Sequence, residues 1–196
     1  MMKITLPLAV TLALLSPASL LAQEELRPAD QARLDGYDAA AGDALLRALA
    51  EGAPEDVAAL TTALSGTPAV AFDPSLAGEW KCRTLKLGGP AGLIAYTPFD
   101  CRITLRADGF DFEKLSGSQR TKGRIIMRNG RAIYVGVGFA AGETPPDYAD
   151  LPEDFRSDGR IQADVAVVER VSPNRARLLF PAPAVESDFD ILELTR

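Results

Sequence analysis

The sequence predicts an α+β protein: a short N-terminal helical region packed on an antiparallel β-barrel-like domain of about eight strands. Three observations predict it. Apolar residues recur every three or four positions as far as Leu64. From Gly78 onward they recur every second position. Turn signals such as Asn129-Gly130 then separate the alternating runs, as they do in all-β barrels and sandwiches. A chain of 196 residues with 47% hydrophobic and 24% charged residues is ordinary for a globular protein, which excludes a fibrous or wholly disordered chain. The expected division is residues 1–22 as a leader, 23–72 as the helical region and 73–196 as the barrel or sandwich domain.

Residues 1–22 read MMKITLPLAVTLALLSPASLLA. Lys3 supplies a positive start, and the apolar run from Ile4 to Leu15 is too short to span a bilayer but suits a secretory leader. Ser16-Pro17 ends the run, and cleavage is expected after Ala22, with Ala18 the alternative. No cysteine stands directly after that point, so no lipid anchor is expected. The expected location is therefore the bacterial periplasm.

Pro28 suits a first helical turn. Leu34, Tyr37, Ala41, Leu45 and Leu49 then follow at helical spacing, with Gly36 and Gly42 as candidate breaks and Gly52 as a stop. Pro54 opens a further helix, with Glu55 and Asp56 in its first turn, where the helix dipole favours anions. Its expected apolar stripe is Val57, Leu60, Thr61 and Leu64.

The alternating region opens on EWKCRTLKL, where Trp80, Cys82 and Thr84 share one face and Lys81, Arg83 and Leu85 the other. In CRITLR, Cys101, Ile103 and Leu105 alternate with basic and polar residues. Further strands are expected at 109–114, 121–128, 131–139, 161–171, 175–180 and 188–194, with an acidic, Pro-rich loop over 142–159. Cys82 and Cys101 are the two cysteines of the chain, and an oxidising compartment predicts a disulfide between them. The alternative is two reduced core thiols. Gly78-x-Trp80 on the first long strand and Arg196 at the end of the last one resemble the calycin arrangement of small lipocalin-like barrels and bacterial metalloprotease inhibitors. That resemblance implies a cation–π closure of Trp80 by a late basic residue.

Composition removes several chemistries. The chain has no histidine, which excludes Ser-His-Asp and Cys-His catalysis and His-based zinc sites. No dinucleotide or phosphate-loop motif is present. No cofactor and no metal are expected. Charge is unevenly distributed: residues 81–131 carry 11 basic and 4 acidic side chains, a balance of +7, while residues 23–72 and 132–196 each balance at −6. The functional reading of the basic stretch is an anion-binding sheet face built from Arg83, Lys86, Arg102, Arg120, Lys122 and Arg124. The plainer reading is ordinary cross-strand pairing with acidic neighbours. Nucleic acid is not an expected partner of an acidic, exported chain with few aromatics in its basic segment.

The most distinctive local sequence is KLSGSQRTKGRI, Lys114 to Ile125. Ser116, Ser118, Gln119 and Arg120 around Gly117 offer hydroxyl, amide and guanidinium donors for a carboxylate, phosphate or sugar. The same groups also suit a self-bonded hairpin turn. Together with GEWKCRTLKLGG, CRITL, VVERV and LLFPAPAVESDFDILEL, this segment resembles the bacterial family called domain of unknown function 4893, over most of the chain after the leader. The resemblance implies a secreted α-plus-β architecture and supplies no reaction and no functional residue.

The expected function is a non-catalytic periplasmic module that binds a small anionic ligand or a protein partner. Candidate ligand-binding residues are Arg83, Lys86, Ser116, Ser118, Gln119 and Arg120, and no catalytic residue is assigned. One alternative is a periplasmic protease inhibitor of the calycin-like type. Another is a carboxylate-dependent hydrolase using Glu143, Asp147, Asp150, Glu153 and Asp154.

Overall fold

A computed structural model describes residues 25–70 and 72–196. The expected leader, residues 1–22, and its cleavage after Ala22 lie outside the described residues. Three helices come first: α1 (Pro28–Asp35), α2 (Tyr37–Glu51) and α3 (Pro54–Leu64). Proline occupies the first turn of α1 and α3, where its missing N–H is harmless. The chain breaks at Gly36 but runs helically through Gly42.

The strands follow as β1 (Ala69–Val70), β2 (Gly78–Leu87), β3 (Leu93–Ala95), β4 (Phe99–Arg106), β5 (Gly109–Lys114), β6 (Gln119–Arg128), β7 (Arg131–Ala140), β8 (Ile161–Ser172), β9 (Arg175–Pro181) and β10 (Phe189–Thr195). Every pairing is antiparallel. The order β2-β4-β5-β6-β7-β8-β9-β10 returns to β2 and closes an eight-stranded barrel. The short β1 extends along β8, and β3 lies along β2 just before β4. Asn129 and Gly130, with φ of 49° and 77°, make the two-residue turn between β6 and β7 that the sequence signals. The long 142–159 loop contains one short helical turn, Tyr148–Asp150.

Alternation sorts the side chains into two cores. The even residues of β2 and β10 point into the barrel, where Trp80, Cys82, Leu192 and Leu194 join Ile103, Phe110, Phe112, Tyr134, Val168 and Leu178. The odd residues Leu85, Leu87, Phe189 and Ile191 face outward and are covered by α2 and α3. Most of the expected helical stripe packs on this wall, namely Leu34, Tyr37, Ala41, Leu45, Val57, Leu60 and Leu64. Ala44 and Ala48 are buried against the barrel, while Leu49 and Thr61 are exposed. Small residues let the α2 axis approach the wall closely, and Leu46 and Leu49 on its flank turn to solvent.

The Cys82–Cys101 disulfide joins β2 to β4 diagonally, with Cα atoms 5.9 Å apart. At the same end of the barrel, the Arg196 guanidinium lies 4.0 Å from the centre of the Trp80 ring. The indole Nε1–H donates to Leu76 O, and Arg196 donates to the carbonyls of Ser75, Ala77 and Pro173. This end of the barrel is plugged by apolar and backbone-bonded groups.

Candidate functional site

The opposite end of the barrel is polar inside. It is built by carrying the inward phase of each strand one step past its apolar residues. On β2 the phase runs Trp80, Cys82, Thr84, Lys86. On β5 it runs Phe110, Phe112, Lys114, and on β10 it runs Leu194, Leu192, Asp190. On β8 it runs Val168, Ala166, Asp164, Gln162, and on β6 Thr121 and Gln119 complete the ring. These side chains line a cavity of about 70 Å³, roofed by Arg120 and by Pro183 and Val185 of the β9–β10 connection. A second cleft of about 200 Å³ adjoins it and shares Thr84, Lys86, Lys114 and Gln119, adding Tyr96, Phe99, Ser118 and Glu186.

Two glycines of β7 make the room. A Cβ on Gly136 would stand 2.1 Å from the Tyr134 hydroxyl, and one on Gly138 2.6 Å from Asp164 Oδ2. Their absence admits a relay of hydrogen bonds. Thr121 Oγ1 donates to Asp164 Oδ2 at 2.7 Å, and because a hydroxyl has one proton, the Tyr134 hydroxyl donates to Thr121 Oγ1, also at 2.7 Å. Asp190 accepts from Ser187 Oγ at 2.6 Å. Burial pushes the Asp164 carboxyl up to about 6 against the pull of Thr121, Arg33 and Lys86. Burial likewise raises Asp190 to about 6.

The cations of the mouth are held differently. Lys86 is 7% exposed and donates to Gln119 Oε1 at 3.0 Å and to Glu186, with which it forms an ion pair. That contact holds the Glu186 carboxyl below its usual range. Lys114 is 8% exposed; it donates to the Gln119 carbonyl and stands 4.4 Å from the centre of the Phe99 ring. It has no carboxylate partner among the described residues. Burial, then the charges of Lys86 and Arg120, lower Lys114 to about 8. Among the described residues Arg120 also forms no ion pair with a carboxylate; its Nε donates to Gly117 O at 3.3 Å.

The structure brings Lys86, Ser118, Gln119 and Arg120 together at this mouth. It does not bring Arg83 there. Arg83 is three residues from Lys86, so the alternation places it outside, where it pairs with Glu193 on β10. The expectation that Arg83 and Lys86 share one face is therefore corrected by strand parity. Ser116 is spent locally, accepting the Asp100 amide at 2.8 Å, as a turn serine does. The wider basic face is neutralised by cross-strand and loop pairs: Arg102–Glu79, Arg106–Asp111, Lys122–Asp147 and Arg124–Asp108. In the acidic loop, Glu143 pairs with Arg160 as Asp147 does with Lys122. Among the described residues no cluster of acidic or sulfur ligands could hold a metal ion.

Lys114, Asp164 and Asp190 were not among the residues the sequence singled out. Their signal was present, since each is a charge standing in phase with the apolar residues of its own strand.

Fold and mouth together define a small closed antiparallel barrel whose interior is apolar at one end and charged at the other. Barrels of eight strands are just wide enough to be filled by side chains or to hold one small ligand. The chain belongs to the family described as Domain of unknown function (DUF4893), whose model matches residues 23–194. No curated protein and no solved structure matches it.

Proposed function

We propose that this is an exported, non-catalytic binding module that holds a small anionic ligand at the charged mouth of its barrel. The observation that carries the reading is Lys114, a buried ammonium group that lines the cavity and forms no ion pair with a carboxylate among the described residues. A buried charge normally requires a partner. Arg120, likewise without an ion pair among the described residues, stands at the same opening, and Lys86 adds a third cation. An anion seated there supplies the missing charge. The apolar wall of Phe180, Pro183, Val185 and Leu192 suits a small organic acid better than a bare ion. Export is supported by the leader pattern of residues 1–22 and by the Cys82–Cys101 disulfide. No helix among the described residues is long and apolar enough to cross a membrane.

The test is a thermal-shift titration with phosphate, citrate, glutarate and short monocarboxylates. A ligand at 100 times its dissociation constant stabilises the fold by about 2.7 kcal/mol, several degrees for a chain of this size. The expected result is a shift with at least one of these anions that Lys114→Met abolishes and Arg120→Ala weakens. A shift that survives in Lys114→Met, or none with any anion, overturns the reading.

A further inference from the structure

Anion binding accounts for only half of the mouth. The same cavity is lined by two carboxylates, Asp164 from β8 and Asp190 from β10, for which a plain anion has no use. Neither is consumed by the cations of the rim. Lys86 bonds Glu186 and Gln119, and Lys114 bonds a backbone carbonyl. Asp164 is 9% exposed and accepts one hydrogen bond, from Thr121, through Oδ2. Asp190 accepts one, from Ser187, through Oδ1. The second oxygen of each has no partner among the described residues. Gly136 and Gly138 on the neighbouring strand β7 leave room beside Asp164.

Resting on the anion-site reading, we propose that the ligand is a small amphoteric molecule. Its anionic group meets Lys114 and Arg120, and its ammonium group meets the free oxygens of Asp164 and Asp190. An ω-amino acid or another compact zwitterion has that chemistry. The pairing solves two problems together, because each end of the ligand neutralises a charge that the protein has buried without a close counter-ion. Phe180 and Leu192 line the same cavity and suit a short methylene chain.

The charges around these groups give the site a pH signature. Asp164 feels Lys86 on β2, Arg33 and Asp30 on α1 and the Thr121 hydroxyl on β6. Asp190 feels Lys86, Asp164, Glu186 and Ser187. Lys114 feels Lys86 and Arg120. Both carboxyls titrate near 6 and Lys114 near 8. Affinity for a zwitterion therefore rises from pH 5 to 7, as the carboxylates ionise, and falls above pH 8, as Lys114 loses its proton. Affinity for a plain acid has no rising limb, since ionising Asp164 and Asp190 only repels it.

The experiment is calorimetric titration of the full mature chain with the ω-amino acids from β-alanine to 6-aminohexanoate. Each is compared with the monocarboxylic acid and the primary amine of the same length. The expected result is one amino acid that binds at least tenfold tighter than its matched acid at pH 7, with the bell-shaped profile above. Asp164→Asn and Asp190→Asn should each erase that preference while keeping the acid bound, and Lys114→Met should erase both. A thermal scan of each variant confirms that it is folded, and Asp190→Asn alone suffices if Asp164→Asn does not fold. An acid that binds as tightly as its amino acid, and depends on Lys114, overturns the zwitterion and leaves the anion site standing. No binding by any acid or amino acid overturns both.

Discussion

Asp164 is a carboxyl buried in the wall of the barrel mouth, and its protonation ties stability to pH. Its carboxyl titrates near 6 because burial disfavours the charged form, and its unfolded value lies near 3.9. Between those values the folded chain holds a proton that the unfolded chain has released. Stability contributed by this group is therefore complete below pH 4 and is lost as pH rises through 6, by at most about 3 kcal/mol. Asp190 acts in the same direction. The exposed carboxylates Asp73, Asp108 and Asp158 act in the other, because hydrogen bonds hold them low and their contribution disappears only as acid protonates them. Asp164→Asn removes the first effect alone. Its melting temperature should gain on the wild type steadily between pH 4 and pH 7, a difference read from parallel thermal scans. Profiles that stay parallel across that interval would mean that the carboxyl is not buried as described.

At the scale of elements, the β2–β4 pair is pinned twice, by its ladder and by the Cys82–Cys101 bridge over 19 residues. Closing a loop of that size in the unfolded chain is worth about 3 kcal/mol. Replacing both cysteines by alanine should lower the melting temperature by on the order of 10 °C, in a scan of the oxidised protein. An unchanged midpoint would show that the ladder and the Trp80 plug suffice. The strands themselves were legible because period two is a strong signal wherever one face is buried. The turn at Asn129-Gly130 was legible because both positions tolerate positive φ. The helical stripe was legible except at Leu49 and Thr61. Leu49 has the right spacing but the wrong side, since closeness of approach favoured Ala44 and Ala48. The charged mouth was half legible. Gln119 and Arg120 stand in a distinctive turn, whereas Lys114, Asp164 and Asp190 are ordinary residues in ordinary strands. What sets them apart is parity with Phe112, Ala166 and Leu192, and barrel closure then places β5, β8 and β10 around one opening. Parity alone also separates Arg83 from Lys86.

The whole molecule is a barrel with one plugged end, one charged end and one apolar outer wall, and the wall decides the role of the helices. Leu85, Leu87, Val167, Leu179, Phe189 and Ile191 project outward from adjacent strands and are nearly inaccessible beneath α2 and α3. Uncovered, they would form an exposed apolar patch of the kind that drives association. The attachment is also polar at its edges. Arg177 donates to the Ala63 carbonyl, and Arg33 to the carbonyls of Ala163 and Pro181. Arg27, Asp30 and the Tyr148 hydroxyl form a buried cluster that ties α1 to the long loop. Burying a large aliphatic or aromatic side chain contributes about 1.5–3 kcal/mol. Six of them amount to roughly 10 kcal/mol, comparable to the entire stability of a typical domain. The helices are therefore part of the barrel's own fold and not a detachable module. A chain that begins at Thr67 should lose its cooperative thermal transition, bind a hydrophobic dye and associate in solution, as read by calorimetry, dye fluorescence and light scattering. A monomeric truncated chain that melted sharply at the temperature of the intact protein would show instead that the barrel stands alone and that the outer wall tolerates water.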